Sequence, residues 1–541
     1  MDSVAPIRLH AIDETNIEIP LWSVPLVLVV IYFCLFSGLG ALGVVGPDEP
    51  RYAAIARAMA ETNDWVTPRL WGTPWFEKPV LYYWAAGIAM RIFGVSEFAA
   101  RLPSALGALL AVLAVAWTAL RSYGIGAAWY ALLMLPTSVA MIGFARAATP
   151  DMLFAGLLTA AMAAAIEILQ KPRPGPVLRI AFGFFLGAGV LAKGPAAVIL
   201  VGGGMLVWAA LSRQWQPTFR FLHPLVIVSF CVTTLPWYVL CALRNPDFLH
   251  IFLWHHNFER YLTPVFEHRQ PFWFFGYVLL IALIPWVWFF CSVCGRITFS
   301  KNRMNSAGAL IGCWAGFTIF FFSLSQSKLP GYILPAIPLL FVLLGREVAR
   351  SFEQAVKNVA WQVAGAGLLF LAFTVPLVKS VPDAARVFQI ANLRGIIAAL
   401  ILGIAGGICI VALSLMKRPK AALIGITLLV TAMIGVSNFS ILPQVDHLFS
   451  SRELAKFIIS NDSAASDVAE YKLPRSWNYG LNYYFGRELK EWSPGSVQPD
   501  WIVTTPQALS EIQKGEIQVR EINPISAPTI MLLHVLRSEK K

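Results

Sequence analysis

Five ionisable residues, Asp48, Glu49, Arg51, Glu77 and Lys78, fall just behind an uncharged apolar run from Leu21 to Val45, in a chain that is only 13% charged. Charge at a membrane exit is costly to place, so such a cluster points first to a functional site. Further polar strings recur downstream: ARAATPD (145–151), AKGP (192–195), WHHNFERYL (254–262), EHRQPFW (267–273) and SQSKLPGYILPAIP (325–338). Among them Asp48, Glu77 and Asp151 supply carboxylates, while Lys78, Arg146, Lys193, Arg260, Arg269 and Lys328 supply cations. Carboxylates that face cations suit base catalysis or metal binding. Cations gathered at a membrane surface suit a phosphate, whose charge must be neutralised as its bond to a leaving group breaks. Glu77, with His256 or Asp151, could coordinate a divalent cation over that phosphate, although the zinc-motif spacing of two histidines is absent.

Each string also has a plain reading. The first cluster could be an amphipathic hairpin whose charges float among headgroups, and Lys193 and Lys328 could snorkel from span ends. Gly187, Gly189 and Gly194 lack the strand before and the Ser or Thr after the lysine that a phosphate loop needs, so helix packing by small residues explains them better. What weighs against the plain readings is topology. Charge-poor apolar runs recur near residues 21–45, 102–120, 125–145, 152–169, 180–192, 195–211, 223–243, 273–292, 307–324, 333–345, 359–378, 395–415 and 421–440. They predict an all-α polytopic membrane protein of about thirteen spans. With the N-terminus cytoplasmic, Arg and Lys fill inside loop after inside loop, from Arg121 to Lys420, as the positive-inside rule requires. The same count puts every one of the polar strings on the outer side. Cations that stand there against the bias want an anionic partner.

Within the first outer loop, Val80 to Phe93 is too short and too closely flanked by charge to span. It predicts an interfacial helix with Tyr82, Tyr83 and Trp84 at headgroup level. The chain divides into a transmembrane domain over 1–440 and a small outer α/β domain over 441–541, where Asn, Pro and charge become frequent. There Ser451 to Ser460 reads as helix, and Trp501 to Thr505 and Thr529 to Val535 read as extended.

Composition closes off several classes. Hydrophobic content of 57%, with 19 Trp and 36 Phe, exceeds what a water-soluble domain could bury. The +12 charge is scattered between apolar runs rather than gathered on one domain, which excludes nucleic acid as a partner. Acidic residues before the first run and the lack of a small-residue cleavage site predict a retained first span rather than a signal peptide. All 7 cysteines lie in or beside apolar runs, so neither a disulfide framework nor a cysteine zinc site is expected.

The run from Asp48 through FEKPVLYYW to EFAARLPSALGALL, then the string ending at Asp151, AKGP, HNFERY, HRQPFW and SKLPGYILPAIP, resembles the bacterial aminoarabinose transferase and protein O-mannosyltransferase group. The resemblance covers roughly residues 20–345 and is specific in its combination. It implies an inverting membrane glycosyltransferase that takes a sugar, such as 4-amino-4-deoxy-L-arabinose, from a polyprenyl-phosphate donor. It implies a lipid A-type or other envelope acceptor at the outer face of the inner membrane. Asp48 matches the family's essential acid, Asp151 an acid of the second outer loop, and Glu77 and Lys78 the FEKP pair. Lys328 and Tyr332 match the SKLPxY pair. Lys78, Arg269, Lys328 and Tyr332, with Arg260 and Lys193, would cradle the donor phosphate. Pro50 departs from the DETRY sequence with which aminoarabinose members often begin this loop. A protein acceptor, and a lipid or glycan flippase, are the alternative readings; a flippase should place polar groups at midplane in both halves.

Overall fold

The computed structural model describes residues 23–263, 269–296, 306–354, 358–387, 390, 392–461, 467–514, 518–522 and 530–536. Among these, nine helices are long and apolar enough to cross a membrane, or eleven if each of two bent pairs is one span. Two shorter apolar helices, Ser23–Phe36 and Ala196–Ser212, accompany them. The protein is a multi-pass helical membrane protein, although length and hydropathy alone do not reach the expected thirteen.

Two runs that read as single spans are broken. Ile125–Met134 and Val139–Ala145 meet at 60°, and Phe274–Ala282 and Val287–Gly295 at 120°. Pro136 and Pro285 stand in the breaks, where each removes a backbone donor and crowds the preceding turn. The breaks repair each other: Val139 N donates to Ile284 O at 3.0 Å, and Trp286 Nε1 to Thr137 Oγ1 at 3.1 Å. Irregular backbone at this depth is tolerable only with such partners.

The most enclosed span is Pro150–Gln170, whose apolar window is 94% buried. It lies against Glu97–Tyr123 so closely that a Cβ on Gly107 would stand 2.6 Å from Leu153 Cα. Small residues at the crossing let the two backbones touch, as is usual where lipid offers no hydrophobic drive. This pair positions the site, because both helices begin at its edge.

The first outer loop carries the helix Asp48–Thr62, a two-stranded hairpin β1 (Arg69–Leu70) and β2 (Thr73–Pro74), and the expected short helix at Leu81–Phe93. Asn63 ends the first of these in a left-handed conformation, φ 61°, a C-cap that asparagine tolerates well. Tyr52, Tyr82, Tyr83, Trp237, Phe248, Phe252 and Tyr483 form a separate apolar core beneath the loop.

Beyond the helix Leu442–Phe449 the chain forms the α/β unit. Strands β3 (Val468–Tyr471), β4 (Lys490–Glu491), β5 (Trp501–Thr504), β6 (Val519–Ile522) and β7 (Met531–Val535) make one sheet of order β4-β3-β5-β7-β6. β3 runs parallel to β4 and β5, and β7 antiparallel to β5 and β6. Alternation along the strands gives each face its own core. Val468, Trp501, Val503 and Leu532 pack with Leu454, Ile458 and Trp477 of the helices Arg452–Asn461 and Arg475–Phe485. Ala469, Ile502 and Leu533 pack on the other side with Ile512.

Candidate active site

The first span unwinds early. After a π-helical turn at Tyr32–Phe36 the chain runs without regular hydrogen bonding to the helix that begins at Asp48. Its carbonyls are taken by guanidinium groups from three distant places. Arg146 donates to Phe33 O, Cys34 O and Ser37 O at 2.6, 3.2 and 2.5 Å. Arg101 donates to Leu39 O, Leu42 O and Gly43 O at 2.8, 2.6 and 2.7 Å. Arg452 donates to Gly40 O at 2.9 Å and Ala41 O at 3.2 Å. Arg146, read from the sequence as an outer-face cation, thus serves the backbone.

From that frame two adjacent acids leave in different directions. Glu49 turns inward, where its carboxylate meets Arg101 Nη2 at 2.7 Å and accepts from Val45 N at 2.9 Å and Ala148 N at 2.6 Å. Ala148 stands three residues before Asp151, so this pair fixes the first and second outer loops to each other. Ser104 adds a donation to Thr149 O at 3.0 Å. Sequence reasoning noticed Glu49 but did not assign it a place, and it missed Arg101. The signal available was an arginine in the apolar helix Glu97–Tyr123, a position where charge needs a buried partner.

Asp48 turns outward and is held by Arg51 at 2.5 Å. Arg51 reaches on to Glu77 at 3.0 Å, and Glu77 meets Lys78 at 3.1 Å, so two carboxylates and two cations alternate in one chain of contacts. The Arg51 guanidinium lies over Tyr52 and Trp75 at 5.2 and 5.6 Å. Tyr52 and Tyr83 form a neutral floor: burial, then the charge of Glu77, pushes both hydroxyls well above the ordinary phenol range. With Asp48 and Glu49 in its first turn, the helix Asp48–Thr62 presents its positive dipole end to these acids.

Asp151 occupies the corresponding place in the second outer loop, in the first turn of Pro150–Gln170 with Pro150 just before it. It is paired with Lys193 from the end of Pro176–Lys193. The Lys193 ammonium also lies over the rings of Phe154 and Tyr332 at 5.5 and 5.3 Å. Tyr332 comes from the short 3-10 helix Pro330–Ala336, and a Cβ on Gly331 would stand 3.3 Å from Asp151 Cγ. Asp151, Lys193 and Tyr332 therefore share one spot.

Lys328 is buried and donates to Gln270 O at 3.0 Å and Ser325 O at 2.7 Å, which ties its loop to the chain beside Arg269. Gln326 N donates to Tyr261 O at 3.1 Å and reinforces that seam. Arg269 is exposed. The side chain of Arg260 lies outside the described residues. His255 meets Glu259 at 2.5 Å one turn on, with His256 stacked edgewise 5.0 Å from it. Among the described residues no group of three or more His, Cys, Asp or Glu side chains could hold a metal ion.

The arrangement can bind and neutralise an anion between outer loops while leaving one carboxylate, Asp48, half open to what arrives. Comparison with known proteins gives it context. The profile described as "Dolichyl-phosphate-mannose-protein mannosyltransferase" matches residues 21–252. An undecaprenyl phosphate-alpha-4-amino-4-deoxy-L-arabinose arabinosyl transferase of Erwinia tasmaniensis is 29% identical over 469 residues, covering 81% of this chain and 83% of that one. A protein of the same name from Edwardsiella ictaluri is 33% identical over 310 residues, 56% of this chain and 55% of its own. In fold the chain is similar to ArnT from Cupriavidus metallidurans bound to undecaprenyl phosphate, with a TM-score of 0.71 at 23% identity, covering 95% and 97% of the two chains.

Proposed function

We propose, for a chain that belongs to the aminoarabinose transferase and protein mannosyltransferase-like family of membrane glycosyltransferases, that it moves a sugar from an undecaprenyl-phosphate carrier to an envelope acceptor. The sugar is 4-amino-4-deoxy-L-arabinose or a close pentose or hexose, and the acceptor a lipid A-type headgroup. The inner membrane of a bacterium is the place, with the site and the α/β unit on the periplasmic side. One observation carries this reading: the alternating Asp48–Arg51–Glu77–Lys78 contacts, set where the first span leaves the membrane.

A carrier phosphate presents its anion at headgroup depth while its polyprenyl tail stays among the spans. Lys78 and Arg51 stand ready for it, held in the alternating chain with Glu77 and Asp48, so neither is a bare buried cation before the phosphate arrives. An acceptor oxygen attacks the anomeric carbon from the face opposite the phosphate. The bond from that carbon to the phosphate oxygen breaks, the configuration inverts, and the phosphate leaves with the added charge that Lys78 and Arg51 neutralise. A hydroxyl acceptor passes its proton to Asp48; a phosphate acceptor brings no proton, and Asp48 then orients it. Asp151, Lys193 and Tyr332 are assigned to the second side, and Arg269 and Lys328 to the rim of the donor cradle.

Glu77, with His256 or Asp151, would be the residues to hold a divalent cation over the phosphate, where it would add to the neutralisation of the leaving group. The test of the function is a comparison of envelope lipids by mass spectrometry from cells with and without this chain, followed by transfer in vitro from the lipid-linked sugar. A sugar-bearing lipid lost with the chain and restored with it supports the reading; a glycoprotein lost instead moves the acceptor to protein.

A further inference from the structure

The last part of the chain is bolted to the segment that delivers Asp48. Gly43 N donates to Asp446 Oδ1 at 2.6 Å, Val45 and Ser450 form an isolated antiparallel bridge, and Arg452 takes the carbonyls of Gly40 and Ala41. Tyr484 completes the contact: its hydroxyl accepts from Val44 N at 3.0 Å and donates to Glu97 Oε1 at 2.8 Å. Burial and the neighbouring Glu97 push that hydroxyl well above the ordinary phenol range, so it remains a donor. Glu97 also meets Arg452 at 3.5 Å, and Arg57 on the helix of Asp48 donates to Tyr483 O at 2.8 Å. The fit has no slack, because a Cβ on Gly43 would lie 2.7 Å from the Tyr484 oxygen.

We propose that the α/β unit is a working part of the active site: through Tyr484 and Arg452, with Asp446 of the helix that leads into it, it fixes residues 40–45 and so sets where Asp48 stands. Tyr484 is a positioning residue. It touches no reacting atom, but Val44 is four residues before Asp48, and no regular hydrogen bonding of its own holds the intervening chain. A shift of the order of 1 Å in a catalytic group costs up to about a hundredfold in rate. The inference rests on the glycosyltransferase reading for its catalytic consequence and on geometry alone for its structural one.

Two measurements on the full-length protein separate these. Amide hydrogen exchange over residues 38–62 reads the clamp without any substrate, and steady-state transfer reads its consequence. Tyr484→Phe keeps the ring and removes the hydroxyl. It is expected to speed exchange in that segment and to lower kcat per folded molecule about tenfold, with the donor KM within about twofold of the parent. Arg452→Lys should do the same. Glu511→Gln, which removes the charge that Tyr471 and Lys472 meet elsewhere on the unit, should change neither reading. Unchanged exchange and kcat in both Tyr484→Phe and Arg452→Lys overturn the proposal, as does a rise in donor KM at constant kcat. If the parent transfers no sugar yet the exchange changes appear, the clamp stands and the transferase reading falls.

Discussion

Asp48 and Glu49 are neighbours in sequence and nearly opposite in fate. The Asp48 side chain is 52% exposed with a single cation on it; that of Glu49 is 6% exposed, with Arg101 and two backbone amides saturating its oxygens. One carboxylate has lone pairs left for an arriving group and the other has none. Burial and saturation, rather than residue type, separate the acid left open to an arriving group from the acid that holds the loops in place.

The comparison breaks most severely at its buried half. Arg101→Met leaves Glu49 inside without its cation, a loss of the order of 3–5 kcal/mol, enough to remove most folded protein. Detergent-extracted protein recovered after mild heating checks this, and a variant as abundant and heat-resistant as the parent would contradict it. Asp48→Asn is the mirror test: the fold should survive unchanged while kcat falls by about 10²- to 10⁴-fold, the span of general acid–base contributions. Near-normal turnover would remove Asp48 from the chemistry. Between them in character is Lys78→Ala: if Lys78 holds the donor phosphate as proposed, the change removes one charge-assisted contact of roughly 1.5–3 kcal/mol and should raise the donor KM about ten- to a hundredfold. Donor titration reads it, and an unaltered KM would place the phosphate elsewhere.

The smallest effect lies far from the site. Burial, then the neighbouring Glu491 and Glu488 against the opposing bond from Asn478, raises the Glu470 carboxyl above its usual range. The folded unit therefore holds that proton to higher pH than the unfolded chain does. Stability is full below the unfolded pKa and declines as pH rises from there to the folded value. Glu470→Gln should flatten that decline in thermal unfolding followed from acid to neutral pH; an identical slope in both proteins would refute the assignment.

Much of this was legible beforehand because it is local. The apolar runs, the short helix at Leu81–Phe93, the strand at Trp501–Thr504 and the convergence of the polar strings follow from hydropathy, spacing and the positive-inside count, whereas Tyr82 and Tyr83, expected at headgroup level, are buried in the core beneath the loop. Glu77 beside Lys78 is an adjacency that the sequence prints. What stayed hidden is pairing across distance: Glu49 with Arg101, Asp151 with Lys193, Lys328 on the carbonyls of Gln270 and Ser325. A lysine at a span end looks the same whether it awaits a phosphate or already holds a carbonyl. The breaks at Pro136 and Pro285 were not visible for another reason, since hydropathy is blind to a bend that leaves composition apolar.

The unwound exit of the first span also has a consequence for how the molecule is made. Its carbonyls at Gly40 and Ala41 wait for a guanidinium 412 and 411 residues further along the chain. At ordinary translation speeds that residue emerges roughly 20–80 s after the exit itself. Through that interval the opening of the site must be held by lipid headgroups, water or an insertion partner, and the last-made unit closes what the first-made span left open. Newly synthesised chains stopped before Arg452 should accordingly be cut by protease between the first span and Asp48, and chains released after it should not.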